Sequence, residues 1–248
     1  MSHYRNEILS LDASIAKDGI KGSSYIYKVG GSLYEAYMYK YAGVDPESGK
    51  ALYYYTDEDG TVQKTDVFTD AEQFECGSVL PKLYGGFGTS LKACGVDFNA
   101  TFSFQLGGRY YDGTYQALMH TSSGVGTAWH KDALLAWSPE NPYSTIPRLD
   151  GDTSVGQTAV DNYLISSDYL SINNITIGYT FPSSIIDALK IDGLRIYLSG
   201  DNLAVVSARK GVDPRYSMGL GSFTSGSGLN SGSYSAMRTV TAGITLTF

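Results

Sequence analysis

Apolar and polar residues alternate without interruption at the carboxyl end of the chain. In residues 239–248, one phase holds Val240, Ala242, Ile244, Leu246 and Phe248, and the other holds four threonines and Gly243. A period of two over ten residues predicts a β-strand with one apolar face. A strand of about 9 to 11 residues also suits a tilted crossing of an outer membrane. Because a strand of a soluble sheet can show the same pattern, the interpretation depends on whether the pattern recurs.

The alternation recurs in the middle of the chain. Between Val96 and Leu106, apolar residues alternate with Asp97, Asn99, Thr101, Ser103 and Gln105. This pattern predicts apolar side chains toward lipid and the five polar ones toward an aqueous lumen. A similar run in residues 82–92 lies just before it, and Cys94-Gly95 joins the two in a predicted hairpin.

Further strands follow from the same signal. Residues 194–199 alternate, and Leu203 and Val205 continue in the other phase after a shift near Gly200. Residues 169–181 alternate with a slip that predicts a β-bulge near Asn173 and Asn174. Two tyrosine-rich runs, 23–29 and 33–42, flank a Gly-Gly-Ser turn at residues 30–32, and residues 4–11 resemble the end of another strand. We therefore expect an all-β, antiparallel, up-and-down sheet of about seven to eight long strands.

Connection lengths predict the orientation of this sheet. Short turns at residues 30–32, 94–95 and 182–193 alternate with long segments at residues 43–81, 107–168 and 207–236. Outer-membrane barrels have short periplasmic turns and long extracellular loops. Counted back from a periplasmic Phe248, every short turn is predicted to be periplasmic.

Composition narrows the class of protein. Of 248 residues only 17% are charged, whereas 29 are glycine and 21 are tyrosine, a balance that suits strands and turns. The net charge of -7 and the lack of a Lys/Arg-rich run argue against a nucleic-acid partner. No apolar run reaches the roughly 18 residues of a membrane helix, so membrane insertion requires a barrel. The amino terminus lacks a signal-peptide pattern, and we therefore expect the chain to be incomplete at its front.

Catalytic and metal-binding patterns are missing from the sequence, so we expect neither an enzyme nor a cofactor. There is no Gly-x-Ser-x-Gly or His-Glu-x-x-His motif. Ordinary loop histidines are favoured over a metal site built from His120 and His130. The run from Asp57 to Gly60 is interpreted as a hairpin turn rather than a calcium loop, because the full ligand spacing is missing.

Loop aromatic residues are the weak candidates for substrate or partner contact. In residues 127–137, the spacing of Trp129, Ala133 and Trp137 places three apolar groups on one helical face. Packing of a short loop helix is the favoured interpretation, and an aromatic platform for a sugar or a partner, with Tyr143, is the alternative.

The two cysteines are predicted to be free thiols. Cys76 precedes the strand at residues 82–92 and Cys94 follows it, which separates them by roughly 30 Å at about 3.3 Å per residue. A disulfide requires Cα atoms within about 7 Å. Pairing would be expected in an oxidising compartment, so a Cys76–Cys94 bond would contradict the strand assignment.

Several segments resemble one family. Residues 168–182, 194–203 and 211–214 resemble the carboxy-terminal region of the SusC/RagA family of TonB-dependent outer-membrane transporters, and residues 238–248 resemble its last strand. Residues 41–49, 80–87 and 146–149 fit the same family in the same order. The resemblance thus covers nearly the whole chain.

The resemblance implies a fold, partners and a location. Members are barrels of about 22 strands around a plug, in the outer membrane of Gram-negative bacteria. They import glycans or peptides with a SusD-like surface lipoprotein and the TonB complex. Residues 1–248 would be the carboxy-terminal part of such a barrel, with plug and N-terminal domains absent, and an open sheet if isolated. Val240, Ile244, Leu246 and Phe248 would form the signal for the outer-membrane assembly machinery.

One alternative remains open. A secreted, soluble β-sandwich that binds carbohydrate through tyrosines would show similar strands without any membrane contact. The two differ over the apolar faces of Val96–Leu106 and residues 240–248, which would point to lipid in a barrel and to a dry core in a sandwich.

Overall fold

The computed structural model describes residues 1–3, 5–119, 126, 128–149, 159–187, 190–216 and 236–248, and nearly all of its regular structure is antiparallel β-sheet. The strands are β1 (Ser2–His3), β2 (Ile20–Lys21), β3 (Tyr25–Tyr27), β4 (Glu35–Tyr39), β5 (Tyr41–Val44), β6 (Ala51–Thr56), β7 (Val62–Thr65), β8 (Gln73–Ser78), β9 (Leu83–Ala93), β10 (Val96–Leu106), β11 (Arg109–Tyr111), β12 (Leu164–Ser166), β13 (Tyr169–Thr180), β14 (Gly193–Ser207) and β15 (Thr239–Thr247). The α-helices are α1 (Gly113–Leu118) and α2 (Ser183–Ile186), and 3-10 turns occur at Phe68–Asp70, Lys131–Leu135, Asp161–Tyr163 and Pro214–Tyr216.

The largest sheet, which we call the wall sheet, has the strand order β1-β9-β10-β13-β14-β15. Its five long strands coincide with the five strongest alternating runs of the sequence, which confirms those predictions. The β9–β10 hairpin turns at Cys94 (φ 52°) and Gly95 (φ 82°), the left-handed pair that a two-residue turn requires. We call the end of the sheet with this turn the short-turn rim and the opposite end the long-loop rim.

The predicted β-bulge is present in β13. Against β10 the register slips between Ile172 and Asn174, so Asn173 is the additional residue. Against β14 the register slips at the same place, where Asn202 has a left-handed φ of 52°. The bulge returns the apolar residues on both of its sides to one face of the sheet.

The two tyrosine-rich runs are not part of the wall sheet, and that prediction is wrong. They form β3 and β4, which pair in a separate sheet of order β2-β3-β4-β8. Tyrosine alternation here reflects burial in a small packed unit, since Ile26, Ala36 and Met38 are buried in it. The predicted strand at residues 4–11 is replaced by β1, which pairs Ser2 with Tyr84.

The turn at residues 30–32 lies at the long-loop rim, which contradicts its predicted position. The Gly30 N–H donates to the Ile8 carbonyl at 2.8 Å, and the Ser32 and Ser78 hydroxyls are 3.0 Å apart. Ser32 also lines a cleft with Lys82, whose N–H donates to Leu106 at the end of β10. In the described ranges, the short turns at the short-turn rim are therefore the one at residues 94–95 and the one between β13 and β14.

The segments at the long-loop rim pack into a unit that we call the loop cap. Its core is rich in tyrosine and small residues, and the buried members are Ala36, Met38, Ala51, Tyr53, Tyr110, Tyr111, Ala159, Val160 and Tyr163. A third sheet, β5-β6-β7, includes the predicted hairpin, and the Asp57 carboxylate there accepts the Thr61 N–H at 2.8 Å. This turn hydrogen bond holds the pKa of Asp57 below its usual value.

Both cysteines are free thiols, as predicted. Cys76 lies in β8 and contacts the core of the loop cap, whereas Cys94 is exposed in the hairpin at the short-turn rim. The full length of β9 separates them.

Candidate functional site

One face of the wall sheet carries polar side chains, and several of them are joined by hydrogen bonds. The five predicted residues of β10 lie on this face, alternating with apolar neighbours along an unbroken register with β9; three of them, Asp97, Ser103 and Gln105, form side-chain hydrogen bonds to other segments. Asn174 donates to Ser199 at 2.9 Å and to Asp201 at 2.7 Å, and Thr176 contacts Ser199 at 2.8 Å. Cross-strand hydrogen bonds therefore link β13 to β14 throughout the middle of this face.

An ion pair spans three strands near the short-turn rim. The Arg195 guanidinium of β14 donates to both carboxylate oxygens of Asp97 in β10, at 2.9 and 2.6 Å, across the intervening strand β13. Gly178 of β13 makes this possible, because a Cβ there would lie 2.6 Å from the Asp97 carboxylate and closer still to Arg195. Arg195 also stacks over Tyr197 at 4.9 Å, and that ring covers Gly243 of β15.

A second anchor lies at the bulge, nearer the long-loop rim. The bulged Asn173 accepts a hydrogen bond from Ser103 at 3.1 Å. Arg215, from the segment after β14, donates to the Ser171 hydroxyl at 2.8 Å and to both carboxylate oxygens of Asp213 at 2.9 and 2.7 Å. Ser171 is fully buried. The bulge therefore fixes residues 213–215 onto the polar face, a contact that the sequence did not predict.

The opposite face of the wall sheet is apolar and exposed. Ile177 and Leu198 are 51% and 54% exposed although both are central in the sheet, and Ile244 of β15 is 69% exposed. The Phe87 and Phe102 rings stack at 4.9 Å within this face. A β-sandwich would bury such a face beneath a second sheet, so among the described residues these exposures exclude the sandwich alternative.

The four residues of the terminal-strand motif share this apolar side of β15. Val240, Ile244 and Leu246 are exposed, and Phe248 directly follows the strand at 85% exposure. The strand pairs with β14 from Thr239 to Thr247 and is last in the order of the wall sheet.

The predicted loop helix at residues 127–137 is wrong. The described residues instead contain a five-residue 3-10 turn, Lys131–Leu135, which leaves Trp129 before it and Trp137 after it. Residue 127 lies outside the described part of the chain. The Trp137 indole donates to the Pro46 carbonyl at 3.1 Å and covers Gly49. Trp137 therefore has a packing role.

Two of the family motifs meet at this point. The main-chain N–H of Arg148 donates to the Gly49 carbonyl at 2.9 Å, and its guanidinium donates to the Ser48 carbonyl at 3.0 Å. The Tyr41 hydroxyl donates to the Thr145 carbonyl at 3.1 Å. Residues 41–49 and 146–149 thus contact each other and brace the loop cap.

Four exposed apolar side chains lie in the segment near these motifs. Trp129 is 47% exposed and Tyr143 is 89% exposed, and Leu134 and Leu135 are exposed as well. The Ser144 hydroxyl donates to the Leu135 carbonyl at 2.6 Å, which brings the chain next to Tyr143 close to Leu135. The sequence indicated Trp129 and Tyr143 as contact candidates. It did not indicate Leu134 and Leu135, because the spacing of apolar residues predicted a helix with one buried face.

A polar cluster joins three segments of the loop cap. Arg209 lies 3.5 Å above the Tyr115 ring and 3.1 Å from the buried Asp112 carboxylate. The Tyr115 hydroxyl donates to Asp132 at 3.1 Å, and burial with this carboxylate raises the pKa of Tyr115 to about 12. His130 packs on the same ring. His120 lies outside the described residues.

Neither a metal-binding group nor a membrane-spanning helix was found in the part of the chain that the structure describes. No three His, Cys, Asp or Glu side chains are grouped so as to hold an ion. No described helix has the length and apolarity to cross a membrane.

Long amphipathic strands in sequential order, with short turns at one rim and packed loops at the other, define the wall of an outer-membrane type β-barrel. The sheet is open in the described residues. Among known proteins, the solved RagAB peptide transporter has the same fold, with a TM-score of 0.73 and 25% identity over 93% of this chain and 24% of its own. The RagAB peptide importer in the open-open state matches 98% of this chain with a TM-score of 0.71 and 25% identity, over 25% of its own chain.

Over most of its length the chain is similar to proteins named TonB-dependent receptors, as well as to the solved RagAB transporters. TonB-dependent receptor P26 of Formosa agariphila is 31% identical over 214 residues, which cover 82% of this chain and 20% of the relative. TonB-dependent receptor P3 of the same organism is 26% identical over 249 residues, covering 92% of this chain and 23% of the relative. The chain thus spans about a fifth of the length of these relatives. No protein-family model matches the sequence.

Proposed function

We propose that this chain forms part of the wall and the loop cap of an outer-membrane transporter. The transporter imports oligosaccharides or peptides, and the energy for import is delivered through TonB. The observation that carries the proposal is the opposite character of the two faces of the wall sheet. Exposed Ile177 and Leu198 suit lipid, whereas the hydrogen-bonded Thr176 and Ser199 beside them suit an aqueous lumen. The receptors and transporters to which the chain is similar support the same class.

Residues 1–248 are assigned to the carboxy-terminal part of such a barrel in a Gram-negative bacterium, with plug and N-terminal domains outside them. The lumen-facing set is Asp97, Asn99, Thr101, Ser103 and Gln105. In this arrangement the wall sheet continues into further strands, because an open edge in lipid would leave backbone groups unpaired at several kcal/mol each.

The loop cap is the proposed meeting point with a SusD-like surface lipoprotein or with the imported oligomer. Trp129, Leu134 and Tyr143 are exposed there, and exposed aromatic and aliphatic side chains of this kind are enriched at interaction sites. Trp137 supports this surface from beneath through its bond to Pro46. The assembly machinery would recognise Val240, Ile244, Leu246 and Phe248, all on the apolar side of the last strand.

Site-directed spin labelling tests the orientation of the two faces. Cys76 and Cys94 are replaced by serine, and single cysteines are placed at Ile177, Thr176 or Ser199 in the protein assembled in outer membranes. Lipid-soluble oxygen should relax the label at Ile177, and a water-soluble nickel complex should relax labels at the other two. A label at Ile177 that is reached by nickel, or by neither reagent, would contradict lipid exposure.

A further inference from the structure

A cleft of about 590 Å³ opens at the long-loop rim. It lies where β1 and the start of β9 meet the segment between β10 and β11. Its charged lining residues are His3, Arg5, Lys82, Arg109 and Asp168. Three cationic side chains, Arg5, Lys82 and Arg109, lie with His3 around one carboxylate, in a chain whose net charge is -7.

In the part of the chain that the structure describes, two of these cations form no ion pair within 4.0 Å. Arg5 is paired with Glu7 at 2.6 Å. Among the described residues, neither Lys82 nor Arg109 has a carboxylate within 4.0 Å. Asp168, the acidic residue of the lining, already accepts the Gly107 N–H at 2.6 Å. The positive charge of the cleft is therefore only partly balanced by the protein.

A glycine gives Lys82 its space. Gly107 has φ 70°, and a Cβ there would lie 3.0 Å from Lys82 Cγ, so the lysine side chain crosses the glycine. The hydroxyl-bearing residue Ser166 lines the cleft as well and pairs with Arg109 in the β11–β12 ladder.

We propose that this cleft binds a carboxylate of an acidic oligomer, from either a uronic-acid oligosaccharide or an acidic peptide. The Arg109 guanidinium can donate two parallel hydrogen bonds to a carboxylate, and Lys82 adds a point charge. The volume lies within the roughly 300–1,000 Å³ of small-ligand sites. The inference rests on the proposed function, because import is what brings such oligomers to this rim.

Calorimetric titration of the purified protein in detergent tests the site. The probes are trigalacturonate and triglutamate. Maltotriose and triglycine amide, which have no carboxylate, are the controls. Arg109→Gln and Lys82→Gln should each weaken binding of the acidic probes about tenfold, the loss of one charge-assisted hydrogen bond. Arg109→Lys should retain part of the affinity, which separates loss of charge from misfolding. Lys92→Gln, at the short-turn rim, is the matched control and should bind normally.

The two acidic probes also identify the source of the carboxylate, since preference for one of them assigns the class of oligomer. Equal affinity of the parent and the Arg109→Gln, Lys82→Gln double variant would overturn the proposal, as would equal binding of maltotriose. Binding of phosphate-bearing lipopolysaccharide without either acidic probe would overturn it in favour of a lipid contact. Each of these results is independent of the spin-label test. If the cleft does not bind acidic oligomers, the assignment of the lipid-facing side is unaffected.

Discussion

Removal of the Arg215 side chain should release the segment that it anchors to the polar face. Arg215 and Asp213 form a two-point ion pair in which the side chains are 16% and 5% exposed. Arg215→Gln leaves the Asp213 carboxylate buried without its cation and also removes the donor to Ser171. The segment can relieve this cost only by moving away from the bulge.

The expected magnitude follows from these contacts. Breaking a buried ion pair by loss of one partner costs about 3–5 kcal/mol. The main-chain N–H of Arg215 continues to donate to Asp213 at 3.2 Å. We therefore expect a cost below that range, about 2 kcal/mol, for local opening. At about 1.4 kcal/mol per factor of ten, the open population rises about 30-fold.

Hydrogen exchange of the Arg215 amide measures this opening, because its N–H donates to the Asp213 carboxylate while the segment is anchored. Mass spectrometry of peptides that contain Arg215 reads the exchange, and its rate should rise about 30-fold in Arg215→Gln. Lys210→Gln, an exposed neighbour, should leave the rate unchanged. Asp213→Asn combined with Arg215→Gln should recover part of the protection. Equal rates for the Lys210 and Arg215 variants would refute the anchoring role.

Three further changes have defined outcomes. Gly178→Val should displace the ion pair that crosses it and lower the temperature at which the barrel loses its compact band on gel electrophoresis. Cys94 should react rapidly with a thiol reagent at pH 8 while Cys76 reacts slowly, because burial raises the pKa of Cys76 to about 11. Burial also raises the pKa of Asp161, so the loop cap should gain stability as pH falls through that raised value, the gain being complete below the ordinary pKa of Asp161. Asp161→Asn should remove this dependence, as read by hydrogen-exchange protection factors.

Each of these has its own control. Thr180→Val, an exposed position on the same face and strand as Gly178, should leave the compact band unchanged. Denaturation should make both thiols react equally. In the parent protein the Tyr41 N–H donates to the Asp161 carboxylate at 2.8 Å, and the side-chain oxygen of Asn at position 161 can accept the same bond. If hydrogen-exchange protection in Asp161→Asn still varied with pH, another group would be responsible for the titration.

The wall strands were predictable because one physical rule governs them along their whole length. A strand between lipid and water must alternate, and β10 matches its predicted bounds of Val96 and Leu106. The bulge was also predictable, since an additional residue must shift the phase of the apolar positions. The same reasoning failed for β3 and β4, because Tyr25 and Tyr37 can alternate equally well in a small sheet that packs against its own loops.

The polar anchors could not be predicted from local pattern. Arg195 lies 98 residues from Asp97, and Arg215 lies 44 residues from Ser171. Only the strand order brings these residues together. Gly178 was the available signal: a glycine in the middle of a long strand indicates close approach by another group. For the aromatic candidates, the residues could be named from the sequence but their exposure could not. Trp129 and Trp137 differ in exposure because of how the loops pack.

The ion pair across Gly178 has a consequence for how the sheet finds its alignment. A slip of β14 by one residue would move Arg195 to the lipid side and leave Asp97 alone, so the pair rejects the misaligned arrangement that backbone hydrogen bonds alone would tolerate. Its partners are separated by the whole segment that leads from β10 through β11, α1 and β12 to β13. The contact therefore forms only once β13 lies between β10 and β14, so it tests the alignment of three strands at once.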